Sequence, residues 1–122
     1  MGVQVFPGCN MWELEEVAVA TGARVRVAQP IGGNGMPNEL GAGIATYEGS
    51  WDYKLNYDVV YYMLDGQLTI HCEGQAVEGR AGDVLYLERG SMIRYDATAG
   101  CKLFWVAYPG NWEEITDLPA RS

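Results

Sequence analysis

Residues 51–91, WDYKLNYDVVYYMLDGQLTIHCEGQAVEGRAGDVLYLERGS, carry the reading that decides the fold. The segment is a series of short runs rich in Val, Tyr, Leu and Ile, each cut off by Gly or Asp. β-branched and aromatic residues suit a pleated, half-buried surface, so these runs read as strands. Leu64-Asp65-Gly66-Gln67 carries an Asp-Gly signal for a tight hairpin between two such runs. Cys72-Glu73-Gly74-Gln75 and Glu88-Arg89-Gly90-Ser91 read as two more turns. Outward from this segment the same pattern places strands near 23–29, 42–48, 52–56, 58–64, 67–73, 83–87, 91–97 and 101–108. Residues 31–40 are Gly- and Asn-rich and read as a loop. A short helix is expected to start at Asn10, with Asn10 as N-cap and Glu13 three residues on. One helical turn is expected around Asn111 to Thr116. Many short strands with regular turns and almost no helix imply an antiparallel sandwich or barrel.

Composition narrows the class. A length of 122 residues fits one domain, and 48% hydrophobic residues suffice for a core. Repeats, heptads and low-complexity stretches are absent. The formal net charge of -8, with no cluster of Lys and Arg, argues against a nucleic-acid partner. The apolar runs are too short to cross a bilayer as a helix, so no membrane association is expected. The first nine residues show neither a basic n-region nor an apolar h-region, and Phe6 stands where a myristoylation signal needs Ser or Thr. A cytoplasmic location follows as the expectation. Cys9, Cys72 and Cys101 are scattered and odd in number, which predicts free thiols and neither a disulfide framework nor a zinc site.

Three pieces of sequence carry a family resemblance: Leu55-Asn56-Tyr57-Asp58 followed by Leu64-Asp65-Gly66, the run Gly82-Asp83-Val84-Leu85-Tyr86-Leu87-Glu88-Arg89-Gly90-Ser91, and the closing segment Val106-Ala107-Tyr108-Pro109-Gly110-Asn111-Trp112. Residues 51–113 resemble a cupin domain, and most of all the cupin of the EutQ-like proteins of ethanolamine utilisation. The resemblance implies an all-β fold: a cupin (RmlC-like) antiparallel β-barrel, or double-stranded β-helix jelly roll, with minor short helices. It divides the chain into an N-terminal extension (1–22), a barrel (23–108) and a C-terminal tail (109–122), all one cupin domain. The family's additional N-terminal region has no counterpart here, so a free-standing cupin is expected. Two positions depart from the family pattern: Val59 replaces an acidic residue, and Glu88 replaces a proline usual in cupins.

Ordinary cupins hold a transition metal through two His and a Glu in the first motif and a third His in the second. Anchoring on Gly66 places those slots at Tyr53, Leu55, Val59 and Ile93. The chain has one histidine, His71, on a strand outside both motifs. No bound metal and no cofactor are therefore expected.

With 53 and 59 facing the lumen, alternation brings Leu55, Tyr57, Tyr61 and Met63 to the same side. Thr46 and Glu48 are expected to share that lumen from the preceding strand, and Tyr86, Tyr95 and Trp105 from later ones. Asp52 and Lys54 fall on the rim or outside. The catalytic candidates are Glu48 as general acid or base and Tyr53, Tyr61 and Tyr95 as proton carriers or donors. Thr46, Tyr57, Tyr86 and Trp105 are the candidate substrate-binding residues. Such a set suits a metal-independent lyase, dehydratase or isomerase acting on a small polar carbonyl or hydroxyl compound. The family resemblance implies a second reading: a non-catalytic accessory cupin that binds a small molecule in bacterial microcompartment metabolism of amines and aldehydes. A ligand-sensing module without chemistry is the third. An acetate kinase activity is attributed to the EutQ family, but Gly32-Gly33-Asn34-Gly35 lacks the spacing and the Lys of a phosphate loop. A small-molecule ligand and a homodimer are the expected partners, since an exposed sheet edge otherwise invites aggregation.

Overall fold

The computed structural model describes residues 3–19, 22–32 and 40–112, and the side chains of all of these except residues 9 and 10. After a one-turn helix α1 (Gly8–Met11), the described residues run through eight strands: β1 (Glu15–Val17), β2 (Arg24–Ile31), β3 (Gly41–Lys54), β4 (Asp58–Asp65), β5 (Gln67–Cys72), β6 (Gln75–Arg80), β7 (Val84–Leu87) and β8 (Met92–Tyr108). Every pairing is antiparallel. The all-β jelly-roll expectation holds.

Two long strands form the spine. β3 pairs with β8 along nearly its whole length, from Gly41↔Ala107 to Lys54↔Met92, with an irregularity between Tyr47 and Gly49. On the far half of β8, residues 102–108 pair with β4, and β4 pairs with β7. On the near half, residues 94–97 pair with β5, and β5 pairs with β6. β1 and β2 extend the sheet beyond β3. In the main chain Leu55 donates to Ser91 and accepts from Gly90, and Met63 donates to Asp83 and accepts from Gly82, which fastens the segments on either side of β7 to the two ends of β4.

Several sequence expectations change here. The segments 42–48 and 52–56 are one strand, as are 91–97 and 101–108. The Asp65-Gly66 turn is a corner and joins no hairpin, because β4 and β5 pair with different halves of β8. Gly66 takes φ 75, and a Cβ there would lie 2.6 Å from Cys101 Cα, so the corner needs glycine. The tight hairpin is β5–β6, where Glu73 (φ 51) and Gly74 (φ 78) both have positive φ, as a two-residue I′-type loop requires. The helix expected from Asn10 is displaced toward the N-terminus, and Glu15–Val17 pairs with β2 as a strand. Most of the loop expected at 31–40 and of the turn expected at 111–116 lies outside the described residues.

The inward face follows the two-residue period. Leu55, Tyr57, Val59, Tyr61 and Met63 are buried, as are Ile93, Tyr95 and Ala97 and the set Cys101, Leu103, Trp105 and Ala107. They form one continuous core.

Candidate functional site

The core is not filled evenly. Between β1, β2, β3, β4 and β8 the side chains of Tyr47, Trp51, Tyr53, Tyr57, Tyr61, Tyr95, Trp105 and Trp112 meet a wall of valines, Val17, Val19, Val25, Val27 and Val59. They surround a cavity with about 30 Å³ of water-accessible space. No charged side chain lines it among the described residues.

The aromatic rings are held by their neighbours. Tyr47 stands edge-on to Trp51 (centroids 5.2 Å) and to Tyr61 (5.9 Å), and Trp51 lies 4.8 Å from Tyr95. Such edge and tilted contacts suit ring quadrupoles. The closing segment supplies the lid. Gln29 on β2 donates to the Gly110 carbonyl (2.8 Å) and accepts from the Trp112 indole (3.0 Å). This clamp seats the Trp112 ring against Tyr57 (6.0 Å) and Trp105 (6.1 Å). Gly41 and Gly110 touch backbone to backbone at this point, where a Cβ on Gly41 would come within 2.7 Å of Gly110 Cα.

Hydroxyl groups are paired among themselves. Tyr61 Oη bonds Tyr47 Oη (2.9 Å) and Tyr95 Oη (2.7 Å), making a three-membered chain. Tyr53 and Tyr57 bond each other at 2.9 Å. Burial strips water from any phenolate here, so Tyr47, Tyr57, Tyr61 and Tyr95 are all held well above the ordinary 10.0. Neighbouring phenols add repulsion, while the bond from Tyr61 partly offsets the rise at Tyr47 and Tyr95. These groups are neutral donors and acceptors at physiological pH. The Trp105 indole is 4% exposed, and its N–H finds no acceptor among the described residues.

The metal slots of the cupin barrel do not fit a metal here. Leu55, Val59 and Ile93 face the core as aliphatic side chains without a lone pair, and Tyr53 alone offers an oxygen. No group of three or more His, Cys, Asp or Glu that could hold a cation occurs among the described residues. His71 is exposed on β5.

The structure brings five of the eight candidate residues together: Tyr53, Tyr57, Tyr61, Tyr95 and Trp105. The other three need correction. Glu48 is exposed and Thr46 is half-buried, and both lie on the outer face, where they pair across the sheet with Arg24 and Arg26. Tyr47, the residue between them, points inward in their place. Tyr86 is 63% exposed, because Leu85 and Leu87 take the inward positions of β7. Asp52 and Lys54 are exposed. Sequence reasoning missed Tyr47, Trp51 and Trp112. The first two share the parity of Tyr53 along β3, a signal that becomes readable once 42–54 is treated as one strand. Nothing local in the sequence brings Trp112 to the cavity, since the clamp on Gln29 is made across the fold.

Residues 19–114 match the family described as ethanolamine utilisation protein EutQ. The acetate kinase EutQ of Escherichia coli K12 is 34% identical over 79 residues, which is 64% of this chain and 34% of that protein. The chain thus spans about a third of that relative's length. Among solved structures, the EutQ protein of Clostridium difficile superposes with a TM-score of 0.70 at 26% identity, covering 77% of this chain and 69% of that one. An RmlC-like cupin from Shewanella frigidimarina, 15% identical with a TM-score of 0.58 over 84% of this chain and 90% of that one, shares the fold.

Proposed function

The chain belongs to the ethanolamine-utilisation EutQ family, and from that premise we propose that it is an accessory cupin of ethanolamine metabolism that binds a small molecule without transforming it. One observation carries the reading. The cavity lining is built of phenols, indoles and valines, with neither a carboxylate nor an imidazole nor a cation among the described residues. Ligand sites are mostly apolar, with a few placed polar groups that fix orientation, and this lining fits that description.

The alternative, a metal-independent lyase, dehydratase or isomerase, needs a base near the substrate. Glu48 was the candidate, and it faces the other way. The phenols that remain are held protonated near neutrality by burial, so none of them stands ready as that base. The acetate kinase activity named for longer relatives calls for groups that neutralise phosphate charge. The cavity supplies none, so we place that activity outside it.

Calorimetric titration with small amines, alcohols, carbonyl compounds and carboxylates tests the reading. Saturable binding of one class, lost in Tyr61→Phe, with no consumption of the ligand, is the expected result. Turnover that Glu48→Gln abolishes would restore the enzyme reading.

We also propose a homodimer, formed through the outer face of the β7–β4–β8 sheet. Two cross-strand rows there are apolar: Tyr86, Val60 and Val106, then Val84, Tyr62 and Phe104. A sheet face toward water normally alternates to polar residues. Here Val84 and Tyr86 are 66% and 63% exposed, and Tyr62 is 45% exposed. With Leu64 and Tyr108 beside them, these side chains present on the order of 600 Å² of apolar surface, the upper end for a monomer. Face against face, two copies would bury roughly 1,200 Å², enough for a specific interface. Light scattering coupled to gel filtration is expected to give twice the 13.4 kDa chain mass, and Tyr62→Lys with Phe104→Lys to return the monomer. A wild-type monomer at high concentration would refute it.

A further inference from the structure

Proton bookkeeping inside the cavity narrows the ligand class, resting on the small-molecule-binding reading above. The hydroxyls of Tyr47, Tyr61 and Tyr95 carry three protons but share two bonds. One phenol hydrogen of that chain is therefore left to seek an acceptor beyond it. The indole N–H of Trp105, which also lines the cavity, is a second donor without an acceptor among the described residues. Its edge-to-face contact with Trp112 (6.1 Å, 79°) can offer only a π acceptor, a second-order contact. Trp105 pairs across the sheet with Tyr61, the middle of the phenol chain, and the indole and all three phenols line the same cavity. A buried donor left unpaired is costly, and native interiors rarely keep one.

Each ligand class meets this surplus differently. An ammonium group brings donors only, and the lining has no carboxylate to receive them. A carboxylate brings acceptors, but it also carries a negative charge into surroundings that already oppose phenolate formation. The protein's formal net charge of -8 opposes it further. Water fits, yet its own hydrogens add to the donor excess. A carbonyl oxygen has two lone pairs and no hydrogen, and alkyl groups attached to it suit the wall of Val17, Val25, Val27 and Val59. The available 30 Å³ corresponds to about two waters, so the smallest such compounds are the ones that suit it.

We propose that the cavity selects a small uncharged carbonyl compound without N–H groups, an aldehyde or ketone, whose oxygen accepts from the Trp105 indole N–H and from the spare hydrogen of the Tyr47–Tyr61–Tyr95 chain.

The test is the ¹H–¹⁵N spectrum of the four tryptophan indoles, recorded on the full chain. Acetone, acetate, ethylammonium and propan-2-ol, similar in size, are added in turn. Acetone is expected to move the Trp105 indole signal saturably, and Trp105→Phe to weaken its binding about tenfold. Acetate and ethylammonium are expected to leave that signal in place at the same concentration, and propan-2-ol to bind at least several-fold more weakly. If any of these three binds as tightly as acetone, the carbonyl assignment is overturned while the ligand-binding reading stands. If none of the four binds, both fail. Should Trp105→Phe not fold, the wild-type spectrum decides: the indole hydrogen close to Trp112 must be the one that moves, and movement of another indole in its place refutes the assignment.

Discussion

Tyr61→Phe removes the middle oxygen of the buried hydroxyl chain and little else. Tyr61 is 1% exposed, and its oxygen bonds Tyr47 at 2.9 Å and Tyr95 at 2.7 Å. Its loss strands the hydroxyls of both neighbours at once. A buried polar group left unsatisfied costs about 1–3 kcal/mol, so the variant is expected to lose roughly 2–6 kcal/mol of stability. Tyr95→Phe removes an end of the same chain, and Tyr61 keeps its bond to Tyr47. That change is expected to cost about 1 kcal/mol. The triple variant Tyr47→Phe, Tyr61→Phe, Tyr95→Phe strands nothing within the chain, since matched removal of polar partners can be nearly neutral. It should therefore be more stable than Tyr61→Phe alone, against simple additivity. Urea unfolding at one fixed protein concentration measures this, with midpoint shifts read at constant slope. Equal losses in Tyr61→Phe and Tyr95→Phe, or a triple variant worse than the middle substitution, would refute the reasoning.

Three further outcomes are expected. Stability falls as pH rises above 10.0, because the unfolded chain releases its phenol protons there while Tyr47, Tyr57, Tyr61 and Tyr95 keep theirs in the fold; the unfolded state then binds fewer protons, and each phenol contributes a slope of up to about 1.4 kcal/mol per pH unit. Cys101, pushed by burial from 9.0 to about 11, starts the decline earlier; urea midpoints that stay level across this range would contradict the burial of these groups. Glu48→Gln changes unfolding free energy by less than about 0.5 kcal/mol and leaves ligand affinity as it was, since an exposed residue of the outer face touches nothing in the cavity; a clear loss of binding in calorimetry would return Glu48 to the site. Gly66→Ala costs about 3 kcal/mol or more, because φ 75 is strained for alanine and its Cβ would meet Cys101 Cα at 2.6 Å; thermal melting close to that of the wild type would mean the corner can open.

Much of this was legible from alternation. Fixing Tyr53 as inward placed Tyr57, Tyr61 and Met63 without further information, because residues of one parity share a sheet face. The same rule failed at Thr46 and Glu48, where Gly49 and Ser50 read as a break between two strands. β3 continues through them, and the extra residues of the irregularity lie opposite on β8, so parity carries across and selects Tyr47. Tyr86 was unreadable for another reason. In Val84-Leu85-Tyr86-Leu87 both parities are apolar, so the pattern cannot say which side faces in. That ambiguity is itself a trace of the exposed apolar sheet face. β6 escaped notice because Gln75–Arg80 is an edge strand with mostly exposed residues and no apolar period. The corner at Gly66 was mistaken for a hairpin because a positive-φ turn is a local signal, while the choice of pairing partner is made by β8 far along the chain.

A crystal structure of the full chain soaked in acetone tests the central claim most directly. It should show the ketone among Tyr47, Tyr61, Tyr95 and Trp105, its oxygen within hydrogen-bond distance of the Trp105 indole nitrogen, and Glu48 turned to solvent. A carboxylate lining the cavity, a metal ion near Tyr53, or a core packed too tightly to admit the ketone would contradict it.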